Sequence, residues 1–484
     1  MTTLYPSIAD SLVAILPELV ILVTASTVLI ADLYTRADQK ESNHRLTLIG
    51  LIAALVAVGF VGGGAAATAF SESFVRDPMS DLLKGAILFV TLLTFVYAKD
   101  YMRDRDMWVG EYHVLILFAV LGMMIMVSAN GFLTLYLGLE LLSLCLYALV
   151  AFDRDSKAGS EAAMKYFVLG ALGSGMLLYG ISMLYGAAGG FAFADVAAAV
   201  SSRGVEDQIL VFGMVFTLIG IAFKFGAVPF HMWVPDVYQG APTPIVLFLS
   251  SAPKIAAFAM AARILIEALG GLQGDWGEIL VILSVLSLAI GNVVAIAQQN
   301  IKRMLAYSTI SHVGFLFLGL LAGTEQGYAS AMFYSVVYAL MSAGAFGVLL
   351  LISNKGLDVQ ELDDLKGLSD RDPWLAAVMA LIMFSMAGVP PMVGFVAKLM
   401  VLEAVVAQGM VWLAVVAVAF SIIGAFYYLR VVKMIYFDKP VGDEGPVSTD
   451  SSARVAITIN GAVILLLGIY PATLFSLCQQ AFPG

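Results

Sequence analysis

The sequence has little charge for its length. Only 12% of its 484 residues are charged and 61% are hydrophobic, whereas about 25% are charged in soluble proteins. The net charge of −10 is spread without a long acidic or basic run, so no basic patch is available for nucleic acid. This composition excludes a soluble globular protein and predicts a polytopic membrane protein.

Cysteine and the common cofactor motifs are also scarce. Cys145 and Cys478 both lie in apolar stretches and form no CxxC or Cys/His pattern, so neither a metal site nor an iron–sulfur site is indicated. No GxGxxG turn follows a strand pattern, and no Walker loop occurs. We therefore expect this chain to bind no nucleotide, flavin or metal.

Long apolar stretches fill most of the chain. A bilayer span needs about 20 mostly apolar residues, and fourteen stretches meet this criterion. They predict an all-α polytopic membrane protein with spans near 11–34, 46–70, 82–98, 112–128, 131–152, 161–187, 207–228, 243–265, 277–297, 303–322, 327–353, 373–407, 409–436 and 455–478. The first stretch is too long for the core of a signal peptide, so we expect a retained span.

Lysine and arginine are distributed unequally between the loops. The loops after the odd-numbered spans hold 17 of the 25, and the opposite loops hold only Arg76, Lys84, Arg203 and Arg263. We call the first side the basic side. Basic loops normally face the cytoplasm, so this bias predicts that both termini lie outside. An even number of spans requires the two termini to share a side, which agrees with this prediction.

A weak internal repeat relates spans 6 and 11, where Ala163–Tyr166 recurs as Ala331–Tyr334. Spans that are five apart have opposite orientations, and inverted repeats build many transporters. We therefore predict one membrane domain. It would contain N-terminal helices at 11–98, inverted five-helix repeats at about 112–265 and 277–436, and a C-terminal helix at 455–478.

Glycine and proline interrupt spans 7 and 12 at matching places. Span 7 contains Gly226 and Pro229, and span 12 contains Gly388, Pro390 and Pro391. Proline removes a backbone donor and clashes with the preceding helical turn. Both spans should therefore be broken within the membrane, and paired interrupted spans indicate a transport site.

Five charged residues lie inside apolar stretches: Glu140, Lys165, Lys224, Lys254 and Lys398. A charge at the centre of a bilayer helix costs roughly 2.5–3.5 kcal/mol on insertion scales, so such residues are rare and usually functional. Lysine can release its proton when it is buried, which makes a lysine series suitable for moving protons.

Two of these charges have the clearest positions. Lys224 lies five residues before Pro229, beside the predicted break, which favours a proton carrier over a lysine that reaches back to the surface. Glu140 lies about ten residues into span 5, where an ion-pair partner would explain it. Its charge would act on a nearby lysine, although a purely structural pair between helices is the alternative.

The other candidates are placed less clearly. Lys254 follows Pro253 in span 8, and Lys398 follows Pro390 by eight residues in span 12. Lys165 is close to the start of span 6, where its side chain could reach the surface. His312 in span 10 is a candidate relay between Lys254 and Lys398, and a packing histidine is the alternative.

Three further polar residues have simpler interpretations. His231 and Asp236 belong to the proline-rich segment Pro229–Pro244, which predicts a structural surface turn between spans 7 and 8. Glu18 follows Pro17 in span 1 and is a candidate for burial against an unidentified partner.

The segment KFGAVPFHMWVPDVYQGAPTP (Lys224–Pro244) closely resembles a signature of the antiporter-like membrane subunits of respiratory complex I. The glutamate of span 5, the lysines of spans 7 and 8, the GVPP motif with Lys398, and LGIYPATLF (Leu467–Phe475) also match. The resemblance extends over essentially the whole chain.

The resemblance implies a role in proton translocation. Glu140 and Lys165 would modulate Lys224 in a first half-channel, and Lys254 and His312 would connect it to Lys398 in a second. NADH, FMN, iron–sulfur clusters and quinone would be bound by partner subunits. Those partners would include a second antiporter-like subunit and small membrane subunits within a bacterial inner membrane.

Two other functions remain open from the sequence. The chain could belong to a multi-subunit sodium–proton antiporter, which a sodium gradient would drive without NADH. It could also be a membrane scaffold whose buried charges only hold helices together.

Overall fold

The structure is a computed structural model that describes residues 8–34, 41–63, 66–353, 358–439 and 450–482. Within these ranges the chain is almost entirely helical, and thirteen helices are long and apolar enough to cross a membrane. The predicted all-α membrane fold is therefore confirmed. Most predicted spans correspond to one helix each, with bounds shifted by a few residues.

The first half of the chain contains α1 (Ile8–Ala14), α2 (Leu16–Tyr34), α3 (Glu41–Val61), α4 (Pro78–Asp104), α5 (Gly110–Val127), α6 (Phe132–Val150), α7 (Lys157–Ala188), α8 (Phe193–Arg203), α9 (Gln208–Phe225), α10 (Trp233–Gly240), α11 (Thr243–Ser250) and α12 (Ala252–Ala262). The second half contains α13 (Gln273–Ile296), α14 (Ile301–Leu321), α15 (Glu325–Ile352), α16 (Leu368–Arg371), α17 (Pro373–Ala387), α18 (Val393–Ala407), α19 (Val411–Phe437), α20 (Ser451–Ile469) and α21 (Ala472–Gln480). Single turns of 3₁₀-helix at Gly204–Glu206, Gly270–Leu272 and Leu362–Leu365, and of π-helix at Arg263–Ala268, connect some of them.

The second predicted span extends too far at its C-terminal end. It was expected to continue to residue 70, but α3 ends at Val61, and Gly63 has a positive φ of 78° that terminates the helix. A small hairpin follows, in which β1 (Ala67–Ala69) pairs antiparallel with β2 (Phe74–Arg76).

The two predicted helix breaks are present. α9 ends at Phe225 because Gly226 adopts a left-handed φ of 75°, and α17 ends at Ala387 because Gly388 does so at 89°. Trp233 Nε1 donates to the carbonyl oxygen of Phe223 at 3.1 Å, and this oxygen also accepts a hydrogen bond from the backbone N–H of Gly226 at 3.0 Å. Each break leaves backbone carbonyls that need donors within the protein.

Two further interruptions were not predicted. Span 8 divides at Ser251 into α11 and α12, and Pro253 begins the second part. Ser251 Oγ donates to the carbonyl oxygen of Leu247 at 2.6 Å. The last span divides at Tyr470–Pro471 into α20 and α21, because proline cannot continue the hydrogen-bond ladder.

The prediction for the segment between spans 7 and 8 was also wrong. We predicted a surface turn, but it forms the helix α10, in which Trp233, Val234, Val237 and Tyr238 are buried. Its prolines favour the first turn of a helix as well as a loop. Asp236 lies on the part of α10 that is less buried.

The helices α11, α12, α14 and α15 form the centre of the bundle. Nearly all residues of α14 and α15 are buried, whereas α2, α19 and α20 expose most of their apolar side chains. The central helices are therefore enclosed by protein, and the outer helices present apolar surfaces suited to lipid or partner subunits. This arrangement isolates the polar residues of α12 and α14 from the lipid.

Candidate functional site

Lys224 lies at the penultimate position of α9, immediately before the break. Its Nζ donates to Ser143 Oγ on α6 at 2.9 Å and to Ser174 Oγ on α7 at 3.0 Å. Two neutral hydroxyls therefore hold the amine, and they remain suitable partners whether or not it carries a proton.

Glu140 lies one turn before Ser143 on the same helix. The Glu140 and Lys224 charges interact electrostatically, but among the described residues they form no direct ion pair, and Glu140 Oε1 has no hydrogen-bond partner. The direct pair that the sequence suggested is therefore not formed. On α6, Ser143, and not Glu140, accepts the hydrogen bond from Lys224. Glu140 therefore acts on Lys224 by a through-space electrostatic interaction without direct contact.

Lys254 occupies the first turn of α12, where it is 4% exposed. Its Nζ donates to the carbonyl oxygen of Phe225 at 2.8 Å and lies 5.5 Å from the Trp233 ring. A cavity of about 30 Å³ is lined by both Lys224 and Lys254 together with Ser143. This volume suffices for one or two water molecules, so the two lysines face one small polar space.

His312 is a residue of α14, and its ring lies between two tyrosine side chains. Its Nδ1 is 2.7 Å from Tyr334 Oη, and its Nε2 is 3.1 Å from Tyr428 Oη. A second cavity of about 10 Å³ is lined by Lys254, His312 and Tyr338. The histidine therefore has a hydrogen-bonded hydroxyl on each nitrogen and a narrow opening toward Lys254.

Lys398 on α18 lies against the second break. Its Nζ donates to the carbonyl oxygens of Met386 and Ala387, both at 3.0 Å, and to Ser421 Oγ at 2.9 Å. Its charge also acts on His312. Lys398 thus continues the series that begins at Lys224. We call Lys224, Lys254, His312 and Lys398 the buried line, in which Lys254 and His312 are buried and the two outer lysines are half-buried.

Lys165 does not belong to this buried line. Its side chain is 44% exposed and forms ion pairs with Glu161 and Asp236, each at 2.8 Å. Asp236 is also paired with Arg303 at 2.7 Å. Lys165 therefore lies in a surface network that α7, α10 and α14 share, and any effect on Lys224 would act over a distance.

The buried pair between Glu18 and Lys84 was not foreseen. Their side chains are 2.7 Å apart and almost completely buried, which identifies the partner of Glu18. Lys84 is the third residue of the predicted span 82–98 and was counted with the adjacent loop. The helix begins earlier, at Pro78, so Lys84 lies well inside α4.

A second buried cluster joins three elements at the same end of the bundle. Arg263 is 2% exposed, and its guanidinium donates to both carboxylate oxygens of Asp77, at 2.7 and 3.0 Å, and to the carbonyl oxygen of Val127. Asp77 is also the N-cap of α4. Burial alone would raise the pKa of Asp77, but the charge and hydrogen bonds of Arg263 and the hydrogen bonds from Ser80 together outweigh burial and hold that pKa below its ordinary value.

No cluster suited to a metal ion was found among the described residues. The two cysteines are buried and unpaired. The chemistry of the site therefore depends on lysine, histidine, tyrosine and serine, all of which can bind or transfer protons.

The fold and this lysine series define the class of protein. A family model described as "NADH:quinone oxidoreductase/Mrp antiporter, TM" matches residues 129–424, which contain both broken spans and all four members of the line. The chain is thus an antiporter-like membrane subunit.

Comparison with known proteins gives the particular family. The chain is 54% identical over 468 residues to NADH-quinone oxidoreductase subunit N of Thioalkalivibrio sulfidiphilus, with 96% of this chain and 97% of the relative covered. It is also similar to a chain of respiratory complex I from Thermus thermophilus, with 31% identity, a TM-score of 0.83, and coverage of 96% and 99%. The chain belongs to the subunit N family of NADH-quinone oxidoreductase.

A chain of the Mrp complex from Dietzia sp. has the same fold at lower identity. The TM-score is 0.84 at 21% identity, and 98% of this chain and 97% of that chain are covered. At this identity the likeness establishes only the shared fold.

Proposed function

We propose that this subunit conducts protons through the buried line Lys224, Lys254, His312 and Lys398, driven by electron transfer from NADH to quinone in partner subunits. The observation that supports this most directly is the position of two lysines on the breaks. Lys254 binds the carbonyl freed by the first break, and Lys398 binds two carbonyls freed by the second. A movement of either broken helix would change the hydrogen bonds of a lysine, which is a means of coupling conformation to protonation.

The proton path has three stages. Lys224 exchanges protons with Lys254 through the cavity that they share with Ser143. Lys254 passes them to the His312 region through the second cavity. The imidazole then serves as a relay toward Lys398, because its two nitrogens face different hydroxyl groups.

Glu140 sets the charge balance at the start of this path. Since it does not touch Lys224, its carboxylate stabilises the protonated lysine only through space. A change in the surroundings of Glu140, which lies on the half-exposed part of α6, would alter proton occupancy at Lys224 without breaking a bond. Lys165 would contribute a weaker, screened effect from the surface.

The placement in the cell follows from the loop charges and the family. The basic side would face the cytoplasm of a bacterium, both termini would face the periplasm, and the protein would reside in the inner membrane. Its partners would be other complex I membrane subunits, including a second antiporter-like subunit and the small membrane subunits. NADH, FMN, iron–sulfur clusters and quinone would bind to partners, and this chain would hold no redox centre.

The test uses the intact assembly purified in mild detergent and reconstituted into vesicles. NADH-driven quinone reduction should change the pH of the vesicle lumen, with a sign set by the orientation of the assembly. Replacing Lys254 by methionine should reduce the proton-to-electron ratio while the assembly retains its subunits. Normal proton yield with assembled Lys254→Met would refute the path.

The alternatives predict different results. A sodium–proton antiporter subunit would show proton movement driven by a sodium gradient without NADH. A scaffold would lose assembly and activity together in the Lys254 variant.

A further inference from the structure

Lys302 is a buried lysine that the proton path above does not use. It lies at the second position of α14, is 2% exposed, and donates from Nζ to the carbonyl oxygen of Ala241 at 3.0 Å. Lys302 is one of the 17 basic residues that were predicted to lie in loops of the basic side, and it instead belongs to a helix. Burying an ammonium without a direct counter-ion is costly, so its position needs an explanation.

A surface carboxylate lies next to Lys302. Asp358 attracts the charge of Lys302, and its side chain is 31% exposed. Asp358 also accepts hydrogen bonds from the buried Tyr101 hydroxyl at 3.0 Å and from Gln360 Nε2 at 2.7 Å. Lys302 therefore interacts electrostatically with a partly exposed carboxylate of the basic side, which is also paired with Arg105 at 3.5 Å.

Polar side chains continue inward along α14 from Lys302. Lys302, Thr309 and His312 are separated by seven and three positions, which places them on one face of the helix. Thr309 Oγ1 accepts a hydrogen bond from the hydroxyl of Tyr338 at 2.7 Å, and Tyr338 lines the same small cavity as Lys254 and His312.

Tyr238 is a further buried hydroxyl near this face of α14. It belongs to α10, three residues before the Ala241 carbonyl that Lys302 binds, and its side chain is completely buried. Its hydroxyl lies close to Thr309, yet no fully formed hydrogen bond to a described residue satisfies it. Buried hydroxyls normally have hydrogen-bond partners. The unsatisfied hydroxyl of Tyr238 is therefore free to form a hydrogen bond with a group that brings or takes a proton.

We propose that Lys302 is the proton-uptake residue of this subunit. It would take protons from the basic side past Asp358, and the hydroxyls of Tyr238, Thr309 and Tyr338 would deliver them to the cavity between Lys254 and His312. Each cycle moves one proton: the ammonium of Lys302 gives it to the hydroxyl line, and the neutral amine regains one from the side of Asp358. The route meets the buried line at its centre, between the two helix breaks, and this inference rests on the proposed function.

A purely structural role for Lys302 makes a different prediction. A cation at the C-terminal end of α10 is favourable because it compensates the exposed carbonyls there. Arginine would keep that charge and its donors but cannot practically release a proton. A structural lysine therefore tolerates arginine, and an uptake residue does not.

The test compares Lys302→Arg and Tyr338→Phe in the intact assembly in vesicles. Both should lower the proton-to-electron ratio and alter the pH dependence of turnover, while subunit content stays unchanged. Tyr97→Phe is the matched control, because Tyr97 is also buried, at 2% exposure against 6% for Tyr338, and is not a member of this route. It should keep the wild-type ratio and pH profile.

The outcomes separate this inference from the proposed function. If Lys302→Arg fails to assemble, Tyr338→Phe decides, since it removes one oxygen and leaves Lys302 untouched. A wild-type ratio and pH profile in Tyr338→Phe overturns the uptake route, provided that Lys254→Met lowers the ratio. A wild-type ratio in Lys254→Met overturns the proposed function itself, and this inference with it.

Discussion

Lys254 Nζ donates a 2.8 Å hydrogen bond to the carbonyl oxygen of Phe225, the last residue of α9 before its break. Lys398 repeats the relationship at the second break, with 3.0 Å bonds to Met386 and Ala387. A protonated lysine is the stronger donor to such carbonyls, because charge-assisted hydrogen bonds are about twice as strong as neutral ones. Proton loss at either lysine should therefore weaken the hold on its broken helix.

The first prediction concerns Lys398→Arg. Arginine keeps the positive charge but does not deprotonate in proteins, so we expect turnover to fall by about tenfold or more, a cautious figure given the 10²–10⁴-fold typical of proton transfer by a positioned side chain. The measurement is NADH-driven proton pumping by the assembled complex. Lys433→Arg, at an exposed position of α19, is the control and should have no effect. Full pumping by Lys398→Arg would remove Lys398 from the path.

The second prediction concerns the glycine at the second break. A Cβ on Gly388 would lie 3.1 Å from Lys398 Cδ and 3.3 Å from Nζ, whereas one on Gly409 would meet nothing within 4 Å. Both glycines have a left-handed φ, at 89° and 76°, so Gly388→Ala and Gly409→Ala share a backbone cost of roughly 1 kcal/mol. Only Gly388→Ala should slow proton pumping in a complex that remains assembled. Equal activity of the two variants would show that Lys398 does not depend on this contact.

The third prediction concerns Glu140→Gln, which removes a charge and little volume. Because Glu140 acts on Lys224 only through space, we expect lower quinone-linked turnover or proton yield with an intact complex. Glu325→Gln, at an exposed position in the first turn of α15, should behave as wild type. Wild-type rates and yields in Glu140→Gln would exclude an essential role in coupling.

The fourth prediction concerns pH and the Asp77–Arg263 pair. The pKa of Asp77 is below its ordinary value, so its contribution to stability is present above about pH 4, the ordinary aspartate value, and is lost as the pH falls through the lowered pKa. Asp77→Asn should lower the unfolding free energy by about 3 kcal/mol near neutral pH, as expected for breaking a buried pair. The difference from wild type should shrink only below about pH 4.

Asp207→Asn is the matched control for this measurement. Asp207 is also a helix N-cap paired with an arginine, but that pair is at the surface, so its loss should change thermal stability little. A penalty for Asp77→Asn no larger than that of Asp207→Asn would show that Arg263 does not hold these elements together.

The fifth prediction concerns topology. Tags at both termini should be accessible from the periplasm, and a tag within the segment Phe437–Arg454, which joins α19 to α20, should be accessible only from the cytoplasm. Accessibility to a membrane-impermeant reagent in whole cells and in inverted vesicles measures this. Termini on opposite sides would rule out the fourteen-span topology.

The helical fold and its two breaks could be predicted because their signals are local. Twenty apolar residues define a span, and a glycine followed by proline defines an interruption. The break at Ser251 was missed because Pro253 occupies the first turn of the second half, where proline is equally compatible with a continuous bend. The prolines of Pro229–Pro244, from which a surface turn was predicted, are likewise compatible with a turn or with a buried helix.

The site was predictable as a set of residues and not as a set of contacts. Lys224, Lys254 and Lys398 stand out as charges in apolar runs, but the hydroxyls of Ser143, Ser174 and Ser421 that hold two of them have no such signal. Residues near span ends were also ambiguous. A lysine there is compatible with a loop or with burial, and tertiary packing alone buries Lys84 and Lys302.

The ion pair between Glu18 and Lys84 also bears on how the chain enters the membrane. Glu18 belongs to α2 and Lys84 to α4, so the acidic partner is synthesised two helices before the basic one. During insertion α2 therefore carries a carboxyl group without its basic partner, which makes its burial in the bilayer costly until α4 arrives. The N-terminal helices thus become stable in the bilayer as a group, and the order of synthesis makes α4 the helix that completes them.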